Sequence, residues 1–158
     1  MKLLTFAMTL TISALLVGGS QPALAANAPS AGGFTPVSAT DASSTVNYGY
    51  ALWNTNTTGG ASISVVANTP GAYTGLKQTM TFYIYGNALS TSCWVSLWDP
   101  VGHHLVQYSN NSGTAVGYSS FQIVVPAGSV AAAESIFCQV PSVNGTYGTS
   151  YFYGVAVN

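Results

Sequence analysis

The sequence predicts an all-β protein, a single β-sandwich of about eight antiparallel strands with one internal disulfide. Three observations support this prediction: short segments alternate apolar and polar residues, clusters of Gly, Pro, Asn and Asp separate them, and two cysteines lie on apolar faces. Such turn clusters at intervals of about 8–12 residues are typical of a sandwich or barrel, not of a βαβ fold. We assign residues 45–158 to this domain.

The beginning of the chain has the layout of a cleavable signal peptide. Lys2 supplies a positive charge, Leu3–Val17 is mostly apolar, and Ala23-Leu24-Ala25 matches a small-x-small cleavage site. We therefore expect residues 1–25 to be removed and the protein to be secreted or periplasmic. Residues 26–44 are rich in Ala, Gly, Pro and Ser, and we expect a flexible N-terminal arm with at most one short edge strand.

The first half of the domain contains three predicted strands. Thr45–Trp53 alternates as one strand, and Ser62–Ala67 is a short β-branched stretch. Gln78–Tyr85 has the clearest alternation, which places Met80 and its apolar neighbours on one face and the tyrosines on the other. The residues of the apolar face are Met80, Phe82 and Ile84.

The second half predicts a hairpin, one helical turn and further strands. The hairpin joins Ser92–Trp98 to His103–Tyr108 through Asp99-Pro100-Val101-Gly102, which matches a type I turn. Ala127–Glu134 is the only segment expected to form a helical turn. The remaining predicted strands end at Val125, Val140 and Val157.

The two cysteines are predicted to form a disulfide. Cys93 alternates with Val95 and Leu97, and Cys138 with Ile136 and Val140, so both side chains should face the core. Two buried cysteines in an exported protein are expected to be oxidised.

Scarcity of charge excludes several kinds of partner. After residue 25 the only charged side chains are Lys77, Asp41, Asp99 and Glu134. Such a surface cannot neutralise a run of phosphates, so we expect no nucleic-acid partner. It offers no basic stripe to an anionic membrane, and we expect no membrane insertion. A nearly neutral surface favours self-association, or contact with carbohydrate or another surface protein.

Catalytic chemistry is not expected from this set of residues. Paired carboxylates need two acids in one site, and the three acids lie in the arm, a turn and the predicted helical turn. His103 and His104 are adjacent on a predicted strand, so their rings should point to opposite faces. We predict no catalytic residue, no metal site and no cofactor. A hydrolytic enzyme would require Asp99, His103 and Glu134 to come within hydrogen-bonding reach.

Aromatic side chains are the best candidates for ligand binding. Trp94 and Trp98 share one face of their strand, about 13 Å apart, and Tyr83 and Tyr85 share the outer face of the preceding strand. Flat, uncharged rings suit stacking on sugars or contact with apolar partners. Two hypotheses follow: a structural or surface-interaction protein without catalytic activity, and a carbohydrate-binding module that uses these residues. In the first, Trp94 and Trp98 are covered by the arm or another strand.

A resemblance to known proteins rests on two short segments and on the final Tyr-rich strand. Cys93-Trp94-Val95-Ser96-Leu97, Phe137-Cys138-Gln139-Val140-Pro141 and the last strand resemble small secreted bacterial β-rich proteins of unassigned function. The likeness covers about the last two-thirds of the chain and implies no activity or site residue. Asn56, Asn110 and Asn144 match the glycosylation sequon in predicted loops.

Overall fold

The structure, a computed structural model, describes residues 31–57, 62–69, 75–129 and 131–158. These residues contain a short helix α1 (Ala39–Ser43) and ten strands. The strands are β1 (Thr35–Pro36), β2 (Thr45–Asn47), β3 (Leu52–Asn54), β4 (Ile63–Thr69), β5 (Gln78–Asn87), β6 (Ser92–Trp98), β7 (His104–Asn111), β8 (Val116–Val125), β9 (Ala133–Val140) and β10 (Tyr151–Val157).

The strands form two five-stranded antiparallel sheets that pack face to face. One has the order β1-β4-β9-β6-β7 and is called the disulfide sheet, because β6 and β9 carry the cysteines. The other has the order β2-β3-β10-β5-β8 and is called the tyrosine sheet. This confirms the predicted all-β sandwich. It has ten strands instead of about eight because three of them have only two or three residues.

The core lies between the sheets and follows the alternation of the long strands. Met80, Phe82 and Ile84 of β5 are buried as predicted, and they face Val95 and Ile136 from the disulfide sheet. Burying side chains of this size contributes about 1.5–3 kcal/mol each, so these strands carry much of the free energy of folding.

The segment predicted as the strand Thr45–Trp53 is a hairpin instead. Gly49 has φ +85°, which a residue with a Cβ rarely adopts, and the chain reverses there between β2 and β3. The Asn47 Oδ1 accepts a hydrogen bond from the Gly49 N–H at 2.8 Å, which stabilises the turn. The local alternation hides this reversal because it continues through the glycine.

Residues 31–36, expected to belong to an arm, pack on the sandwich. Phe34 is 1% exposed and meets Phe152 of β10 edge to face, with ring centroids 4.9 Å apart. The Asn47 Nδ2 donates to the carbonyls of Ala31 and Phe34, and β1 pairs with β4. One apolar residue therefore anchors a segment whose composition is otherwise that of a linker. The predicted signal peptide, residues 1–25, lies outside the described residues.

The only α-helix among the described residues is α1, which begins after Ser38; residues 127–129 form a turn, and β9 begins at Ala133. The helical turn predicted for Ala127–Glu134 is therefore wrong, because Glu134 pairs with Leu97 and Thr69 as part of the sheet. No helix in the described part of the chain is long and apolar enough to cross a membrane.

Asp41 ties helix α1 to the disulfide sheet. Its Oδ2 accepts from the Ser38 hydroxyl at 2.6 Å, and its Oδ1 accepts from the Ser64 N–H of β4 at 2.8 Å. The hydrogen bond from Ser38, followed by that from Ser64, holds the pKa of Asp41 below its usual value. The ionised carboxylate therefore stabilises the fold at neutral pH.

We expect Asp41→Asn to lower the free energy of unfolding by about 1 kcal/mol at neutral pH, because it removes charge-assisted hydrogen bonds. A lowered folded-state pKa gives stability that is present above the unfolded pKa and lost as pH falls through the folded one. The difference between the two proteins should therefore shrink in urea titrations taken from neutral pH to about pH 2. A difference that does not change with pH would contradict this role.

Candidate functional site

The disulfide joins two adjacent interior strands of its sheet, β6 and β9. Cys93 and Cys138 are directly opposite each other in the register of β6 and β9, and both are fully buried. Their sulfur atoms are bonded, as predicted from the alternation. The neighbouring residues Trp94 and Phe137 point to the outer face, where their ring centroids are 5.3 Å apart.

The four aromatic residues predicted to bind ligand are not brought together. Trp94 and Trp98 lie on the outer face of the disulfide sheet, and Tyr83 and Tyr85 on the outer face of the tyrosine sheet. Both indoles are half-buried. The Trp98 Nε1 donates to the Ser135 hydroxyl at 2.9 Å, and its ring meets His104. The sandwich therefore has two separate aromatic surfaces on opposite sides.

The larger of these surfaces is built by a row of rings that crosses the tyrosine sheet. Tyr118 of β8 is opposite Tyr85 of β5, Tyr85 is opposite Tyr151 of β10, and Tyr151 is opposite Trp53 of β3. Successive centroids are 5.0, 6.1 and 5.3 Å apart. We call this set the aromatic row. At about 4.8 Å between strands it spans about 14 Å, perpendicular to the strands.

Further rings extend the row at both ends. Tyr48 from the β2–β3 turn contacts Trp53 at 4.9 Å and lies nearly parallel to Tyr50. Tyr153 lies nearly parallel to Tyr118 and Tyr151, with ring centroids 5.9 and 6.4 Å away. Together with the row, these residues form one continuous aromatic surface. Tyr118, at its edge, is 82% exposed.

A β-bulge in β10 makes room for this arrangement. The register with β5 passes from Phe152 to Gly154, so Tyr153 is an extra residue without a partner. Gly154 has φ +115°, which allows the chain to change phase there. As a result Tyr151 and Tyr153 point outward, whereas Phe152 and Val155 both face the core.

The aromatic surface is uncharged and carries hydroxyl groups. Burial raises the pKa of Tyr153 to about 12, and the neighbouring Tyr118 acts in the same direction. The Tyr153 hydroxyl therefore remains protonated at neutral pH and is a hydrogen-bond donor there. Ring faces with hydroxyls at their rims suit a ligand that has both C–H faces and hydroxyl groups.

The titratable residues occupy structural positions. Asp99 closes the predicted type I turn: its carbonyl accepts from Gly102 N–H, and its Oδ1 accepts from Val101 and His103 N–H. His103 Nδ1 lies 3.1 Å from Asp99 Oδ2. Glu134, 4% exposed, faces the interior at the start of β9, while Asp99 and His103 lie in the surface turn. Within the described residues, no three His, Cys, Asp or Glu side chains are grouped to hold a metal ion.

Of the four aromatic residues predicted from the sequence, only Tyr85 belongs to the aromatic row; its other members, Tyr118, Tyr151 and Trp53, were not predicted. The sequence does contain one signal for these residues, the alternation along each strand. Tyr83 and Tyr85, like Tyr151 and Tyr153, alternate with core residues, which places the tyrosines on the outer face. What the sequence does not display is strand order. Strands β5 and β6 follow each other in the chain but belong to different sheets, whereas β3, β10, β5 and β8 are neighbours.

No family model matches the chain, and none of the curated proteins does. Among solved structures, it is similar to the enzymatically active domain of tailspike protein 4 of bacteriophage CBA120, with TM-score 0.55 and 15% identity over 68% of this chain. The chain spans only 15% of that protein's length. This likeness is one of fold.

Two smaller proteins are similar at lower scores. A family 16 carbohydrate-binding module has TM-score 0.47 and 9% identity, covering 84% of this chain and 86% of its own. A family 11 carbohydrate-binding module from a cellulosomal cellulase of Clostridium thermocellum has TM-score 0.45 and 14% identity, covering 68% and 72%.

Proposed function

We propose that the protein is a carbohydrate-binding module without catalytic activity, and that it holds a neutral polysaccharide on the aromatic surface of the tyrosine sheet. The observation that carries the proposal is the register of the aromatic row, which places Tyr118, Tyr85, Tyr151 and Trp53 side by side across four strands. Strands are rigid supports, so the rings are held in place before a ligand arrives.

The chemistry of the surface fits sugar rings. The face of an aromatic ring is negative and attracts the slightly positive C–H groups on a sugar face, while tyrosine hydroxyls exchange hydrogen bonds with the sugar's own. A row about 14 Å long has room for several consecutive sugar units. The absence of charged residues from the row favours a neutral chain over an acidic one.

The first hypothesis from the sequence, a structural or surface-interaction protein, makes a different use of the same surface. Clustered exposed rings also suit contact with another protein or with a second copy of this chain. We favour carbohydrate because the tyrosine rings on this sheet face carry hydroxyl groups, so the surface mixes polar and apolar groups as sugar sites do. The disulfide agrees with the expected export to an oxidising compartment, where such polysaccharides occur.

Tyr118→Ala should weaken polysaccharide binding about two- to tenfold, the loss expected for one exposed stacking ring. The measurement is affinity gel electrophoresis of the folded protein through a panel of neutral polysaccharides, including cellulose derivatives, xylan, galactan and soluble chitin. Binding should change little with added salt, because the row contains no ion pair to screen.

Tyr147→Ala is the matched control for this experiment. Tyr147 is also exposed, at 53%, but it lies in the turn between Asn144 and Gly148, outside the aromatic row. Equal retardation of the two variants would contradict the proposal. A wild-type protein that binds no polysaccharide but forms dimers that Tyr118→Ala dissolves would favour the surface-interaction hypothesis instead.

A further inference from the structure

The outer face of the disulfide sheet carries a small open cleft beside Trp94. Its volume is about 170 Å³, and it lies on strands β6 and β7 next to the edge of the sheet. The register places Trp94 opposite Ser109 and Ser92 opposite Asn111, so these side chains point to the same outer face. The lining residues are Ser92, Trp94, Ser109, Asn110 and Asn111.

The Trp94 ring is held in place by packing against a residue of the neighbouring strand. Its ring packs against Phe137 on the neighbouring strand, with centroids 5.3 Å apart and planes inclined by 57°. The indole is half-buried. An indole supported in this way loses little freedom when a ligand stacks on it, which lowers the cost of binding.

Polar groups surround the indole on its other side. Ser92 and Ser109 line the cleft, where their hydroxyls can meet a ligand. The Asn111 Oδ1 accepts from the Gly113 N–H at 2.8 Å, which fixes the carboxamide and leaves its NH₂ group as a donor. The cleft thus combines one ring with hydroxyl and amide groups, and its lining contains no charge.

We propose that this cleft is a second carbohydrate site, which takes a single neutral sugar ring on Trp94. A cleft of about 170 Å³ is small and open, which suits one sugar ring and not an oligosaccharide. The hydroxyls and carboxamide bind the sugar's hydroxyl groups, and the indole stacks on its C–H face.

The position of the cleft has a functional consequence. It lies on the disulfide sheet, whereas the aromatic row lies on the outer face of the other sheet. Two packed sheets are about 10 Å apart, so a polysaccharide strand lying flat on the row cannot also reach the cleft. Together with the proposed function of the aromatic row, on which this step rests, the cleft lets the module bind two strands at once and join them, which raises its effective affinity for a dense polysaccharide surface.

The test is a ¹H–¹⁵N NMR titration of the full mature chain with neutral oligosaccharides, using cellohexaose, xylohexaose, galactotriose and chitohexaose as probes. The Trp94 indole N–H and the Asn111 side-chain NH₂ report on the cleft, and the Trp53 indole N–H reports on the row. We expect one of these probes to shift both sets of signals. Shifts at Trp53 alone overturn the second site. Shifts at Trp94 and Asn111 alone uphold the second site and overturn the proposed binding on the aromatic row, and shifts at neither overturn both.

Variants separate the cleft from the rest of its sheet. Trp94→Ala should abolish the shift at Asn111 and leave that at Trp53 unchanged, whereas Trp98→Ala, on the same strand and face but outside the cleft, should preserve both. If Trp94→Ala does not fold, Ser109→Phe fills the cleft at an exposed position of an edge strand that tolerates aromatic residues. An Asn111 shift that persists in Ser109→Phe would overturn the site.

The same variants test the bridging. Wild-type protein should make a dilute solution of the bound polysaccharide turbid, because each module joins two strands. Trp94→Ala or Ser109→Phe should remove the turbidity while retaining retardation in the affinity gel. Turbidity equal to that of the wild type would show that the cleft contributes nothing to cross-linking.

Discussion

Phe34→Ala should lower the free energy of unfolding by about 3–5 kcal/mol, the cost of removing a buried phenylalanine from a packed core. Phe34 is 1% exposed and lies against Phe152 of β10, whose flanking tyrosines belong to the aromatic surface. A domain of this size is stable by only about 5–15 kcal/mol, so the change should be evident in a urea titration. It should also weaken the contacts that Asn47 makes with Ala31 and Phe34.

Val37→Ala is the matched control, because Val37 lies three positions later in the same segment and is 53% exposed. We expect it to change the free energy of unfolding by less than about 0.5 kcal/mol. Similar small effects of both substitutions would show that residues 31–37 behave as an arm, as their composition suggests. A large effect of Phe34→Ala alone would place the start of the folded domain before residue 45.

Much of the fold was predictable because long strands display their environment directly. In β5 and β6 every second residue is apolar, and both strands are found where the alternation predicts them. The same alternation predicts the disulfide, which the structure contains. The hairpin of β2 and β3 was not predictable from alternation, because Gly49 reverses the chain without interrupting the pattern. The packing of Phe34 depends on Phe152, and no local signal joins residues so far apart.

The site was predictable only in part, for a topological reason. Alternation correctly turns Tyr85, Trp94 and Trp98 away from the core. It contains no information on which strands are neighbours, and the aromatic row exists only because β3, β10, β5 and β8 are adjacent. The bulge at Gly154 adds a change of phase that strict alternation would misassign for Val155. The type of a residue, and the face of the strand on which it lies, can be predicted from nearby sequence. A row of rings across several strands depends instead on which strands are neighbours and on how they are aligned.

The disulfide occupies the sheet opposite the aromatic row, and this position separates its effects on stability from those on binding. Cys93 and Cys138 face the core, and their neighbours Trp94 and Phe137 point to the outer face. Removing the cross-link loosens the unfolded chain without removing any residue of the row. We therefore expect a lower free energy of unfolding, while the folded protein retains the aromatic surface of the tyrosine sheet.

Replacing both cysteines by alanine should lower the free energy of unfolding by about 4 kcal/mol, since the bond closes a loop with a sequence separation of 45. Wild-type protein treated with reductant is the companion sample, because it loses the cross-link but retains both sulfur atoms in the core. Intact mass confirms its reduction. Equal losses in the two samples assign the effect to the cross-link, whereas a larger loss in the double variant measures the cavity left by the sulfur atoms. Reduced wild-type protein that unfolds at the same urea concentration as the oxidised form would contradict the prediction.

Retardation by polysaccharide, measured without denaturant on the folded fraction, should be the same in all three samples, because the aromatic row lies on the other sheet.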